Sequence, residues 1–266
     1  MSNPVALKAK LIFGGTITAL TGMHVGGSDT GLAIGGADKL VLREPRNNQP
    51  YIPGSSLKGK MRSLLEKVRC AGENCAGFKL DATLVRGPCN CGVCPVCLVF
   101  GVPANIERKL QGSTPYAAAS RILVRDAFLA NAAEVERMRN LDMPFTEVKT
   151  EVSIDRLTST ANPRSFERVP AGAMFQFEMT LNVFDGDDEP GHIELVRQGL
   201  GLLGDDAVGG QSSRGYGQVK IVLERLARVA VESYRNLAKL SEQRTRNLLD
   251  VAEVFGGRLV EIEKAA

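Results

Sequence analysis

All six cysteines of this 266-residue chain fall between Cys70 and Cys97, and four stand close together in Cys89-Asn-Cys91-Gly-Val-Cys94-Pro-Val-Cys97. The chain contains no run of 18 apolar residues, and Met1 to Lys10 shows no apolar core followed by a small-residue cleavage site. A cytoplasmic location without a membrane partner is therefore expected. In that compartment clustered cysteines read as a metal site and not as a disulfide framework. Tetrahedral zinc takes four thiolates at about 2.3 Å, and Gly92 and Pro95 allow the turns that bring the ligands round. The cluster predicts a structural Zn²⁺ on Cys89, Cys91, Cys94 and Cys97, with Cys70 or Cys75 able to replace one ligand. An iron–sulfur cluster shares the Cys-x2-Cys-x2-Cys spacing, and four reduced thiols without metal form a third reading.

Composition narrows the function classes. The 33 basic and 30 acidic residues leave a net charge of +3, so nucleic-acid binding must rest on local clustering. Aromatics make up 5% with no Trp, which turns attention from base stacking to backbone and phosphate contacts. The two histidines, His24 and His192, argue against a His-rich metal centre and a two-histidine acid–base nuclease. The 28 glycines and 12 prolines are ordinary for a folded domain, and without an internal repeat or low-complexity linker a single domain over 1–266 is expected.

Alternation predicts a first strand over Ala6 to Ala19, followed by the glycine-rich stretch Thr21 to Asp29. A short strand is expected at Lys39 to Arg43 and another from Ser120 to Leu129, then a short helix over Ala132 to Met138. Thr150 to Arg156 and Phe175 to Leu181 both alternate, with the polar arm Leu157 to Arg168 between them. Together they predict a long hairpin with Arg164 and Arg168 near its shank. An amphipathic helix covers Ile193 to Leu203, a glycine loop Gly209 to Gly217, and a strand Gln218 to Glu224. The tail from Ala227 to Val254 reads as mostly helical.

The helix from Ser55 to Arg69 has the clearest start signals, a Pro53-Gly54 turn and serine caps. Leu57, Met61, Leu64, Leu65 and Val68 make its buried face, and the other carries Lys58, Lys60, Arg62, Lys67 and Arg69 against Glu66. Lysines in a first turn oppose the macrodipole unless an anion such as phosphate sits at the N-terminus; the alternative is a solvated basic face. The stretch Arg214-Gly-Tyr-Gly-Gln-Val-Lys-Ile221 meets the RNA-recognition signature at Arg214, Gly215, Tyr216, Gly217 and Val219. It misses at Gln218 and Ile221, where that signature carries aromatics.

Several segments, in order, resemble a known family: His24-Val-Gly-Gly-Ser, Gly35-Gly-Ala-Asp38, Pro50 to Arg62, Asp155-Arg156, Pro163-Arg164, Glu167-Arg168-Val-Pro170 and Gly209 to Gly217. The chain is similar to the backbone subunits of type III CRISPR effector complexes, within the RAMP superfamily, and most closely to the third Csm subunit of type III-A. The resemblance implies an α+β fold with a ferredoxin-like (RNA-recognition-motif) core, a cysteine-rich lid insertion over 70–110 and a protruding thumb hairpin over 145–181. It implies several copies stacked in a filament on one CRISPR guide RNA, with target single-stranded RNA and other effector subunits as partners. The implied RNA-binding residues are His24, Ser55, Ser56, Lys58, Lys60, Arg62, Arg156, Arg164, Gly210, Ser213 and Arg214, though His24 also fits an ordinary buried histidine. The phosphate contacts position RNA while guide pairing supplies sequence choice.

The resemblance further implies target-RNA cleavage dependent on Asp38. A carboxylate there holds a hydrated Mg²⁺ or Mn²⁺ against the scissile phosphate or orients the 2′-OH, with RNA phosphates completing the site. Asp29 is the rival carboxylate, and a loop-capping aspartate is the plainer reading. The expected activity is a divalent-metal-dependent endoribonuclease. The competing functional class is a structural RNA-binding scaffold without nuclease activity; a guide-precursor processing nuclease fits the two scattered histidines poorly.

Overall fold

The structure, a computed structural model, describes residues 6–26, 39–69, 88–102 and 120–245. Its strands are β1 (Leu7–Ala19), β2 (Tyr51–Ile52), β3 (Ile122–Val124), β4 (Ala127–Leu129), β5 (Glu147–Ile154), β6 (Ala161–Arg168), β7 (Met174–Phe184) and β8 (Val219–Ala230). Its helices are α1 (Gly54–Arg69), α2 (Pro95–Phe100), α3 (Ala132–Glu136), α4 (Glu189–Asp205) and α5 (Leu237–Thr245). The fold is mixed α/β. None of the described helices is long and apolar enough to cross a membrane.

Period-two alternation decides the centre. Along β1 the residues Ala9, Leu11, Phe13, Ile17 and Ala19 are buried, and Lys10, Ile12, Gly14, Thr16 and Thr18 between them are half-buried. β1 pairs antiparallel with β7 on one side and β8 on the other, which sets Phe13 opposite Met179 and Leu226. The sheet order is β2-β4-β7-β1-β8, with β3 also on β7. The inward side chains of β1 and β7 join Leu57, Met61 and Leu65 of α1 and Ile193, Val196 and Leu200 of α4 in one core. Truncating a core phenylalanine such as Phe13, Phe175 or Phe177 costs about 3–5 kcal/mol. Cys89, Val96, Cys97, Val99 and Phe100 belong to the same core, so the cysteine segment is built into the domain body.

Four expectations change on the structure. Lys39 to Arg43 forms no strand but three isolated bridges: Lys39 with Phe166, Val41 with Gly26, and Arg43 with Pro50. The run from Ser120 divides into β3 and β4, because Ile122 faces Leu181 whereas Phe128 faces Gln176, a one-residue shift. This bulge at Arg125–Asp126 frees the Asp126 carboxylate to accept from Gly54 N–H at 2.8 Å. The hairpin is made by β5 and β6, Glu147 opposite Arg168 and Ile154 opposite Ala161, so its second strand is the polar arm itself. Phe175 to Leu181 lies instead in β7, inside the sheet, because its inward phenylalanines are needed there. Finally, β8 runs to Ala230 before a 3-10 turn (Val231–Arg235) and α5; pairing with β1 overrides the helical propensity of that stretch.

Candidate metal centre and nucleic-acid interface

The four thiols of Cys89, Cys91, Cys94 and Cys97 converge, with all sulfurs within 4.8 Å of one another. Cys89 Sγ lies 4.0 Å from Cys94 Sγ, and Cys91 Sγ lies 3.8 Å from Cys97 Sγ. Four bonds of about 2.3 Å in a tetrahedron put sulfurs roughly 3.8 Å apart, so the donor set fits a thiolate-bound metal such as zinc. Local sequence makes this geometry. Gly92 turns the chain at φ 71°, Cys94 N-caps α2 by accepting from Cys97 N–H at 3.4 Å, and Pro95 starts the helix. Cys94 N–H likewise donates to Cys91 Sγ at 3.3 Å. Burial pushes the Cys89 thiol up from its ordinary value, and the bond to Cys94 together with burial pushes the Cys97 thiol up as well. Thiols packed this way resist ionising together unless a cation compensates the charge. Cys70 and Cys75 lie outside the described residues.

Two loops meet beside the sheet. Leu20 N–H donates to Gln218 O (2.8 Å), Gly217 N–H to Gly22 O (3.0 Å) and Gly210 N–H to His24 O (2.8 Å). Glycine is required at Gly217: φ is 74°, and a Cβ would stand 2.1 Å from Val208 O. The loop exposes Gly210, Ser213 and Arg214, with Ser212–Arg214 in one 3-10 turn. Tyr216, the aromatic that matches the RNA signature, is 1% exposed. Lys149 Nζ (4.6 Å) and Arg168 Cζ (5.2 Å) both lie over its ring, so it fastens the hairpin to the loop and is closed to a base. His24 is buried, with Nδ1 2.7 Å from Glu167 O and its ring edge-on to Phe166.

The basic face of α1 is largely engaged with the protein. Lys58 Nζ donates to Ser120 Oγ (2.6 Å) and Ile122 O (3.2 Å), and burial, then Arg62, lowers its pKa. Arg62 bonds Glu66 and Cys89 O, and Lys60 pairs with Asp206 at 3.0 Å. The helix N-terminus is partly satisfied from within as well. Asp126 takes Gly54 N–H, and Pro53 O takes the N–H groups of Ser56 (3.0 Å) and Leu57 (3.2 Å). What faces outward is Ser55, Ser56, Gly59 and Ser63, with Lys67, Val68 and Arg69 exposed in the last turn. Lys60 brings this helix to Asp206, which borders a shallow cleft with Ser212 and Ser213. Arg164 is exposed on the hairpin opposite Glu151, and Arg156 stands at the tip, where Asp155 Oδ1 accepts from the N–H groups of Leu157 and Thr158. Lys60 and Ser213 thus meet at the cleft through Asp206, while Arg214 stands 3.9 Å from Glu151, the residue opposite Arg164 on the hairpin.

Asp38 and Asp29 lie outside the described residues, but the chain directly after Asp38 is held firmly. Glu167 N–H donates to Lys39 O (3.0 Å), and the buried Glu167 carboxylate accepts from Val41 N–H (2.7 Å), Arg43 (2.5 Å) and Thr146 (2.6 Å). Glu167 escaped a role in the sequence reading because an acidic residue on a polar arm gives no sign of being buried.

A family model described as the RAMP superfamily matches residues 16–220. The chain belongs to the RAMP superfamily. Among curated relatives, the "CRISPR system Cms endoribonuclease Csm3" of Methanothermobacter thermautotrophicus is 39% identical over 233 residues, covering 85% of this chain and 89% of the relative. That of Streptococcus thermophilus is 37% identical, covering 88% and 96%. Within the superfamily the chain therefore belongs with Csm3, as the resemblance in its motifs implied. Of solved structures, a Csm3–Csm4 subcomplex of the type III-A CRISPR–Cas interference complex matches with TM-score 0.53 and 28% identity, covering 87% of this chain and 86% of that one. A Methanopyrus kandleri Csm3 crystal structure matches with TM-score 0.55 at 23% identity, covering 88% and 81%, a likeness of fold.

Proposed function

We propose that this chain is the guide-RNA-binding backbone subunit of a type III CRISPR effector complex and that it cleaves guide-paired target RNA. The observation that carries this reading is the 39% identity to a Csm3 endoribonuclease across 85% of the chain. The sheet supports a ferredoxin-like core: β1, α1, the β3–β4 edge, β7, α4 and β8 follow one another with β1 central. The β5–β6 hairpin serves as the thumb, and the cysteine segment holds structural Zn²⁺. The guide backbone runs over the outward face of α1 and the loop carrying Gly210, Ser213 and Arg214. Backbone amides, small side chains and a few cations suit an RNA held by its phosphates, with sequence choice left to pairing. Further copies of the chain and other effector subunits complete a filament that acts in the cytoplasm.

Asp38 is the catalytic residue in this reading, with Mg²⁺ or Mn²⁺ supplying charge neutralisation at the scissile phosphate. Support comes from the anchoring of Lys39 to Phe166 and Val41 to Glu167, which fixes the chain that follows Asp38 at the foot of the thumb. The test is a gel of labelled target RNA complementary to the guide, wild type beside Asp38→Ala, with EDTA as control. Cleavage should fall by orders of magnitude with target affinity kept within a few-fold. Wild-type cutting by the variant would shift the role to Asp29, and binding without cutting by either protein would make the chain a scaffold.

A further inference from the structure

The cysteine cluster is fastened to α1 by a closed set of hydrogen bonds. Arg62 and Glu66 stand one helical turn apart, and the peptide of Cys89 lies against both. Glu66 Oε1 accepts from Cys89 N–H at 3.0 Å and from Arg62 Nε at 2.7 Å, and Arg62 Nη2 donates to Cys89 O at 2.6 Å. Glu66 is 4% exposed, and the Arg62 side chain 13%. A carboxylate so placed needs a cation and donors of its own; Arg62 and the Cys89 amide supply them. Both polar groups of the Cys89 peptide are thereby bound to one helix, which fixes where its Sγ sits.

A second tie reaches the far end of the segment. Ser120 Oγ, held by Lys58, reaches Val99 O of α2 at 3.4 Å, and Arg121 N–H donates to the same carbonyl at 3.0 Å. Two of the basic side chains that the resemblance assigns to RNA thus bear on the cysteine segment, Arg62 directly at Cys89 O and Lys58 through Ser120. A tetrahedral thiolate site needs its donors placed within a few tenths of an ångström, and groups that orient a ligand contribute to affinity without touching the metal.

We propose that Arg62 and Glu66 are positioning residues for Cys89, a clamp that makes metal retention depend on α1, and that Arg62 acts there in place of contacting guide phosphate. This rests on the zinc reading above. The full chain, purified with zinc, is transferred into a chromogenic chelator, and zinc release is timed for wild type, Glu66→Gln and the pair Arg62→Met/Glu66→Leu. The pair removes both charges together, so no buried charge is left alone if the single variant fails to fold. Release should be about 10-fold faster or more in the variants. Guide-RNA affinity is measured in parallel against salt, and its slope should match wild type in the pair variant. Zinc release at the wild-type rate overturns the clamp. So does a salt slope reduced by about 0.7, the mark of one lost phosphate contact. A wild-type chain that holds no zinc on metal analysis overturns the zinc reading itself and the clamp with it.

Discussion

The Arg121 guanidinium grips the Asp187 carboxylate with both prongs, Nε to Oδ2 at 2.8 Å and Nη2 to Oδ1 at 2.7 Å, with the two side chains 1% and 8% exposed. Arg121 Nη1 also donates to Leu98 O of α2 at 3.1 Å, and Asp187 Oδ2 accepts Phe184 N–H at 2.9 Å. One ion pair therefore joins the cysteine segment, the end of β7 and the approach to α4. Removing one partner leaves the other charge buried, so Arg121→Met or Asp187→Leu alone should cost about 3–5 kcal/mol. The double variant should recover much of that loss. Denaturant melts of the four proteins give the coupling directly, and additive single effects would mean the pair does not act as a unit.

The same corner makes the fold acid-sensitive. Burial raises the Asp187 carboxyl, but the Arg121 hydrogen bonds, with those of Phe184, outweigh it and hold its pKa below the ordinary 3.8. Burial lowers the pKa of His192 below its ordinary 6.5; Asp187 and Asp188 oppose this and Arg121 adds to it, and Nδ1 has no hydrogen-bond partner among the described residues. Both folded pKa values are depressed. Each contribution is therefore present above the unfolded pKa and is lost as pH falls through the folded one. Stability should decline from about pH 6.5 downward through His192, and again below about pH 4 through Asp187. His192→Gln should flatten the first decline and leave the second; an unchanged profile would remove His192 as its source.

Metal loss should be felt by the whole domain. A cysteine-rich lid insertion, as the resemblance implies, would loosen on losing the ligands and leave the core folded. Cys89 and Cys97 are fully buried in the core shared by α1 and α4, so the site and the core melt together. The purified chain should carry about one zinc, and chelation or Cys97→Ser should lower the melting temperature of the entire cooperative transition. Iron with sulfide, or a melt indifferent to chelator, would count against it.

What could be read in advance follows the physics of each signal. The alternation of β1 and the 3.6-residue spacing of α1 are driven by burial, so the sequence displayed them plainly. The cysteine set was legible because four ligands lie within one short segment and need no tertiary knowledge. The hairpin's return strand was hidden because β6 carries Asn162, Pro163 and Arg164 in place of apolar residues, while β7 offered a stronger strand pattern further on. The fate of the α1 cations was hidden too. Lys58, Arg62 and Glu66 have the same types whether they face solvent or Ser120 and Cys89, and only the fold brings those partners near.

Gly59 offers a test in which stability and function move in opposite directions. It sits in the interior of α1, on the outward face with Ser55, Ser56 and Ser63, and a Cβ added there would meet nothing within 4 Å. Nothing among the described residues requires a glycine, and helix propensity disfavours it against alanine by about 0.5–1 kcal/mol. Gly59→Ala should therefore stabilise the RNA-free chain and raise its melting temperature by about 2 °C. If the guide backbone lies on this face, as proposed, the added methyl stands where a sugar or phosphate approaches, and guide affinity should drop while the fold becomes firmer. Thermal melts without RNA and filter binding with it measure the two signs separately. A variant both more stable and equally tight in RNA binding would move the guide off α1 and onto the loop of Gly210, Ser213 and Arg214.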